Sequence, residues 1–350
     1  MRFTSKVLCG AVAMGALVCA GSASAQQKKK FEGVTLNING YGGAYDEILK
    51  ETIAKPLKEK YGLEIVYQPG GSGAATARLL ASKDDPPFDL IMVDSPAMPQ
   101  LIDAGIIEEI DEKDVPNAKK VYPKLREFGK YGLPFSVASI VLTANTKLVK
   151  DQPKSFKDLG NPELKGRVGL ITLESTGGVL TLLALAEANG GGVNNIEPGF
   201  AALKAIKPNV VAGFGATVPQ LQAFQQEEIW VGPFWNGRVY ELQQKGAPMA
   251  LIAPSEGVYS LQSYVNAVKN SKHREAVMAY MDQAMTDEAI AALAIKFTYG
   301  PTTAVKLPDD IAPKVIAYGP EGLAKIKTVD WVTVAKNRPA WTTQWNKEMQ

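Results

Sequence analysis

Two rhythms of apolar positions alternate along this chain. Residues 34–39 (VTLNIN) alternate apolar and polar, the period of a strand. After the turn Gly40-Tyr41-Gly42-Gly43, residues 44–60 place Ile48, Leu49, Ile53 and Leu57 at helical spacing. The cycle then repeats. Residues 63–68 predict a strand, Pro69-Gly70-Gly71-Ser72-Gly73 a turn, 74–82 a helix and 90–93 a third strand. Ser95 follows as the cap of the next helix, with Pro96 at its first position. Strands and helices alternating over short connections predict a parallel sheet with helices on its faces.

Residues 131–145 (YGLPFSVASIVLTAN) break that rhythm. None is charged, and 136–143 is mostly apolar and β-branched, the composition of a strand buried on both faces. Pro134 sits near its start, where a missing donor is tolerated. Beyond it the pattern restarts. A short helix and turn fall at 155–166, strands at 168–171, 210–214, 229–235 and 249–253, and helices at 177–189, 200–206, 218–226 and 238–245. A second buried stretch at 264–268 precedes helices at 272–285 and 287–296. Two α/β patterns joined by an uncharged buried strand predict two lobes, crossover strands between them and a cleft beside the crossovers.

The N-terminus changes the picture of where the chain works. Arg2 and Lys6 precede an apolar run at 7–20 and the small-residue site Ala23-Ser24-Ala25. This is the form of a cleavable export signal, too short for a permanent membrane span. Neither Cys9 nor Cys19 follows the small residue that a lipid-anchoring site needs. Both cysteines lie in this segment, so the mature chain carries no disulfide and no thiolate metal site. Cleavage after Ala25 predicts a periplasmic protein whose residues 26–32 form a flexible, solvated tail. Loss of Arg2 and Lys6 leaves lysines and arginines equal in number to the 36 acids. A balance near zero offers no electrostatic case for nucleic acid or an anionic membrane.

Enzyme motifs are absent. The one histidine, His273, opens a polar-faced helix, which argues against a Ser-His-Asp relay or a His-rich metal site. No glycine-rich stretch completes a phosphate loop or a G-x-G-x-x-G fingerprint. What remains is a set of turns at strand ends, where open parallel sheets bind ligands. These are 41–45, Gly70 to Ser72, Asp94-Ser95, and 172–178 (TLESTGG). Glycines there admit close backbone approach, and helix N-termini offer free N–H groups. Simple capping explains Ser72, Ser95 and Thr176 equally well, with Ser95 the best functional candidate. Tyr41, Tyr45, Trp235, Tyr259 and Tyr299 fall at element ends, where rings can box an alkyl chain or a cationic nitrogen. Trp235, in PFWNG, leads them. Glu174 is the candidate counter-charge to an amine.

Seven segments in order carry a resemblance. They are 41–47 (YGGAYDE), 88–111 (FDLIMVDSPAMPQLIDAGIIEEID), 131–146 (YGLPFSVASIVLTANT), 155–170 (SFKDLGNPELKGRVGL), 231–237 (VGPFWNG), 253–260 (APSEGVYS) and 330–349 (DWVTVAKNRPAWTTQWNKEM). Together the chain resembles a periplasmic solute-binding protein of an ABC importer, of the type that includes the spermidine/putrescine-binding proteins. The resemblance covers essentially the whole mature chain. It implies an α/β, two-lobed periplasmic-binding-protein fold (type II), each lobe a mostly parallel sheet flanked by helices, with crossover strands between lobes. Lobe one is expected at 33–136 and 267–301, and lobe two at 137–266 and 302–350. The implied function is capture of a small solute, without catalysis, metal or cofactor. The implied partners are permease and ATPase subunits in the inner membrane, served by a monomer.

Tyr45, Ser95, Glu174, Trp235 and Tyr299 match positions that line the polyamine site in relatives. Polyamine binders follow the E-G turn with an aromatic and an acid, roughly WMD. Here residues 260–262 read SLQ, so Gln262 stands where an acid would pair with a second amine. A solute with one amine and one polar or anionic end, such as an amino-acid-like zwitterion, fits that departure better than a diamine. The adjacent tyrosine pair of iron-binding relatives is missing. The alternatives are an exported enzyme on the same scaffold, a binding protein for a small anion, and a protein that feeds a sensor.

Overall fold

The structure, a computed structural model, describes Met1 and residues 28–349. The export signal expected at 1–25, with Cys9 and Cys19, lies outside the described residues. The chain enters through a short segment that is not the free tail expected. Phe31 is buried because its ring packs on Tyr61, 5.6 Å between centroids, and its N–H donates to the Tyr61 carbonyl. The Lys29 ammonium bonds the Glu59 carbonyl.

Strand β1 (Thr35–Gly40) leads into α1 (Gly43–Leu49), which continues through a π-helical turn (Lys50–Ala54) into α2 (Lys55–Tyr61). The sequence predicts one regular helix here; Pro56 is the difference. It has no N–H to offer the Thr52 carbonyl, and the Gln283 amide supplies the bond instead at 3.0 Å. Then follow β2 (Glu64–Pro69), α3 (Ser72–Ala81), β3 (Leu90–Asp94) and α4 (Met98–Asp103).

After short 3-10 turns comes β4 (Leu133–Asn145), a strand of 13 residues buried at all but one position. The second half adds β5 (Val168–Ile171), α5 (Thr176–Ala188), α6 (Glu197–Ile206), β6 (Val210–Phe214), α7 (Thr217–Gln225), β7 (Val231–Trp235), α8 (Asn236–Gln244) and β8 (Met249–Ile252). Helix α5 is apolar all round because it is buried from Gly177 to Ala186. Next is β9 (Val258–Ala267), then α9 (Arg274–Ala284), α10 (Asp287–Phe297), α11 (Gly319–Lys325), the short β10 (Ile326–Lys327) and α12 (Trp331–Met349).

The sheet runs β2-β1-β3-β9-β4-β7-β5-β6, with β8 also on β4 and β10 on β9. Pairs β1–β2, β1–β3, β5–β6, β5–β7 and β9–β10 are parallel; the antiparallel pairs β3–β9, β9–β4 and β4–β7 join the two sets. Strand β4 is the crossover. Its first half, from Leu133 to Ser139, pairs with β9, and its second half, from Ile140 to Ala144, pairs with β7. This is the two-lobed fold. One lobe closes around Leu36, Ile38, Leu49, Ile53, Tyr280 and Met281, the other around Ile140, Leu142, Phe156, Leu180, Phe200 and Trp341.

Two expectations need correction. The second crossover begins at Val258, six residues before the expected 264, and all ten of its residues are buried. Its polar Ser260, Gln262 and Ser263 mask a strand because each finds an internal partner: Ser260 on Ser139, Gln262 on Ser95, Ser263 on Asp94. The return to the second lobe also comes later than 302. Gly300 exchanges two backbone bonds with Val137, and Val305, Leu307, Ile311 and Val315 still pack into the first core; Ile316 first reaches the second lobe, whose core Val329 and Trp331 join.

Strands β5 and β7 pass each other at Gly169 and Gly232. A Cβ on Gly232 would collide with the Gly169 carbonyl of the neighbouring strand. Gly232→Ala should therefore lower stability by about 1–3 kcal/mol, the usual range for overpacking. A urea melt checks it, and an unshifted midpoint would show that the strands spread freely.

Candidate ligand-binding cleft

Beside the crossovers lies a cavity of about 850 Å³, within the size range of small-molecule sites. The first lobe contributes the β1–α1 turn from Tyr41 to Tyr45, Asp94 at the end of β3, and Phe297 and Tyr299. The crossovers contribute Ala138, Leu261 and Ser263. The second lobe contributes Ser175 and Thr176 at the start of α5, Thr217, and the β7–α8 junction with Trp235, Gly237, Arg238 and Glu241.

An aromatic wall runs along the first-lobe side. Tyr41 meets Tyr45 edge-on at 4.9 Å, Tyr45 stacks on Phe297 at 5.7 Å, and Phe297 stacks on Tyr299 at 5.3 Å. Burial raises the pKa of Tyr41, Tyr45 and Tyr299, so the three stay neutral phenols. Trp235 is contributed by the other lobe.

Asp94 is the acid that the first lobe contributes to the lining. The hydroxyls of Tyr41 and Ser263 donate to its Oδ1 at 2.9 and 2.8 Å, and Ser72 donates to Oδ2 at 3.1 Å. The Asp94 N–H in turn donates to Ser72 Oγ at 3.0 Å. Burial raises the pKa of this carboxyl, against the lowering effect of the three hydroxyls. Among the described residues it forms no ion pair with a lysine or arginine. From the second lobe, Arg238 lines the cavity with its Nη1 on Glu241 at 2.7 Å, while Lys245 holds the other oxygen of Glu241 at 2.9 Å. Burial opposes ionisation of Glu241, but the bonds from Lys245 and Arg238 outweigh it and lower the pKa. The cleft lining thus carries Asp94 and Lys296 on the first lobe and Arg238 with its partner Glu241 on the second.

Four of the residues singled out from the sequence, Tyr41, Tyr45, Trp235 and Tyr299, come together in this cavity. The other four lie elsewhere. Side chains alternate along a strand. Leu261 and Ser263 of β9 line the cavity, so Gln262 points to the far face, where its Oε1 accepts from Ser95 Oγ at 2.9 Å. Ser95 is therefore a buried partner of Gln262 and caps no helix. The cleft-facing position on this strand belongs to Ser263, a hydroxyl that serves Asp94. Tyr259 is buried against α5, its hydroxyl on Glu187, which also holds Lys327. Glu174 is exposed, its carboxylate over Gly215 and its carbonyl accepting from Arg338 at 2.8 Å. Asp94 was legible only as half of the Asp94-Ser95 turn; the strand's parity sends the first residue, not the second, into the cleft. Arg238 had no signal beyond its place after Trp235.

On the far face of the crossovers, Glu127 stands 3.4 Å from Ser95 Oγ. Burial raises its pKa to about 7, more than the neighbouring Trp331, Ser95 and Gln262 lower it. An unfolded glutamate titrates near about 4.3. The folded state therefore holds this proton more tightly, and the associated stability is present at low pH and lost as pH rises toward 7. Glu127→Gln should flatten the fall in thermal midpoint between pH 5 and pH 8 relative to the unmodified chain; an identical slope would mean an ordinary, solvated carboxylate.

A family model described as bacterial extracellular solute-binding protein matches residues 52–317. A gamma-aminobutyric acid-binding protein of Pseudomonas aeruginosa is 23% identical over 336 residues, covering 90% of each chain. The spermidine/putrescine-binding periplasmic protein of Escherichia coli is 22% identical over 245 residues, 67% of this chain and 69% of that one. A crystal structure of an ABC transporter from Clostridium perfringens shares the fold with a TM-score of 0.78 at 24% identity, over 90% of this chain and all of that one.

Proposed function

The chain belongs to the bacterial extracellular solute-binding protein family, and from that premise we propose that its cleft captures a small amine bearing a separate anionic end and delivers it to a membrane permease. It is the solute-binding component of an ABC transporter. The observation that carries the choice of solute is that Asp94 and Arg238 line the cleft from different lobes. A half-buried carboxylate served by hydroxyls alone gains most from an ammonium, because desolvated charge is costly until it is paired. A guanidinium opposite favours a carboxylate and repels a second ammonium. An amino-acid-like zwitterion satisfies both ends, and methylenes between them would lie along the aromatic wall. The names of the relatives span both chemistries, one gamma-aminobutyric acid and the other polyamines.

Residues 1–25 act in this reading as the export signal, and the protein works as a monomer in the periplasm with inner-membrane permease and ATPase partners. Among the described residues no helix is long and apolar enough to cross a membrane. The alternative of an exported enzyme draws no support from the single histidine, His273, which is exposed at the start of α9, outside the residues lining the cleft.

Titration calorimetry on residues 26–350 tests the proposal with γ-aminobutyrate, putrescine and spermidine. γ-Aminobutyrate should bind, and Asp94→Asn should weaken it at least tenfold, about 1.4 kcal/mol or more. Arg238→Gln should weaken γ-aminobutyrate while sparing putrescine. Tight spermidine binding with no heat from γ-aminobutyrate would overturn the zwitterion reading. The solute should also close the lobes about the crossovers, seen as a smaller radius of gyration in solution scattering; superimposable profiles would count against closure.

A further inference from the structure

Asn236, the first residue of α8, is 1% exposed although its amide is polar at both ends. Its Nδ2 donates to the Thr298 carbonyl at 2.7 Å, and its Oδ1 accepts from the Ser139 N–H at 2.9 Å. Each partner sits at a break in regular structure. On the edge of β4 away from β9, Val137 bonds Gly300, and β7 takes over from Ile140. Ser139 falls between, and the Asn236 side chain closes that gap in the ladder.

Thr298 ends α10 with φ 52° and ψ 28°, the left-handed region. Glycine is the ordinary occupant of such a position, and a β-branched residue there is an outlier. It is held in place from the second lobe. Gly237 packs so closely that a Cβ would lie 2.8 Å from the Phe297 carbonyl and 2.9 Å from Tyr299 Cε1. The neighbours of this contact are the cleft walls themselves: Trp235 precedes Asn236, and Tyr299 follows Thr298.

We propose that Asn236 is a positioning residue that fixes Tyr299 of one wall against Trp235 of the other. The floor of the cleft is then assembled before the solute arrives, and the lobes pivot about this point. The inference rests on the reading of the cleft as the solute site. The stack from Tyr299 through Phe297 and Tyr45 to Tyr41 carries the position set here to Asp94.

The test compares N236D, T298G and the double variant in the full mature chain. Aspartate keeps the acceptor for Ser139 but places an oxygen against the Thr298 carbonyl. In hydrogen exchange without solute, N236D should speed the Gly300 and Val137 amides at least tenfold and leave β1 unchanged. Adding T298G should restore most of that protection, since glycine holds the left-handed turn unaided. Affinity for γ-aminobutyrate should fall with N236D and recover with the double variant. Exchange at Gly300 unchanged by N236D, or no recovery in the double variant, would overturn the proposal. Should N236D fail to fold, T298G alone decides: a raised thermal midpoint supports a strained, held turn, and an unchanged or lowered midpoint refutes it. Exchange in the solute-free protein reports on the pivot whatever the cleft binds, so silence from γ-aminobutyrate would count only against the proposed solute.

Discussion

Strands β4 and β9 lie side by side with both faces covered, so their polar side chains must find partners within the protein. Most of the arrangement follows from how they do so. Ser139 bonds Ser260 across the pair at 2.8 Å, which joins the crossovers where the lobes meet. Gln262 turns to Ser95 on the far face, and Ser263 turns to Asp94 on the cleft face. Asn236 completes the buried edge of β4 at Ser139, between the bonds to Gly300 and to β7. The same buried bonds that allow two strands to pass between lobes thus also orient the carboxylate that the first lobe contributes to the cleft.

That carboxylate and the aromatic wall together form most of the first lobe's side of the cleft. Tyrosines kept neutral by burial offer hydroxyl dipoles and flat apolar faces, but no charge. Asp94 therefore supplies the charge at its end of the cavity, and three hydroxyls hold it in place without neutralising it. Arg238 is anchored by Glu241, which Lys245 also serves. Asp94 and Arg238 thus enter the cleft from different lobes.

The architecture was readable from residues 131–145 because a strand buried on both faces has a composition no solvent-facing element shares. Tyr41, Tyr45, Trp235 and Tyr299 were readable as candidates to line the cleft because each stands near the end of an element, the level at which a parallel sheet opens its crevice. The first half of β9 was hidden by Ser260, Gln262 and Ser263, whose partners lie far away in sequence. The free tail failed at Phe31 for a similar reason: its burial depends on Tyr61, not on its lysine neighbours.

Local sequence thus determined the alternation of elements, the crossover and the level of the cleft, since these depend on composition and on neighbours a few residues apart. Which side of each crossover looks into the cleft was decided only by tertiary packing. A strand covered on both faces shows no polar–apolar period, so nothing in its sequence marks one face as the ligand's. The choice of Asp94 over Ser95 and of Ser263 over Gln262 comes down to a single step of strand parity, set where β3, β9 and β4 pair.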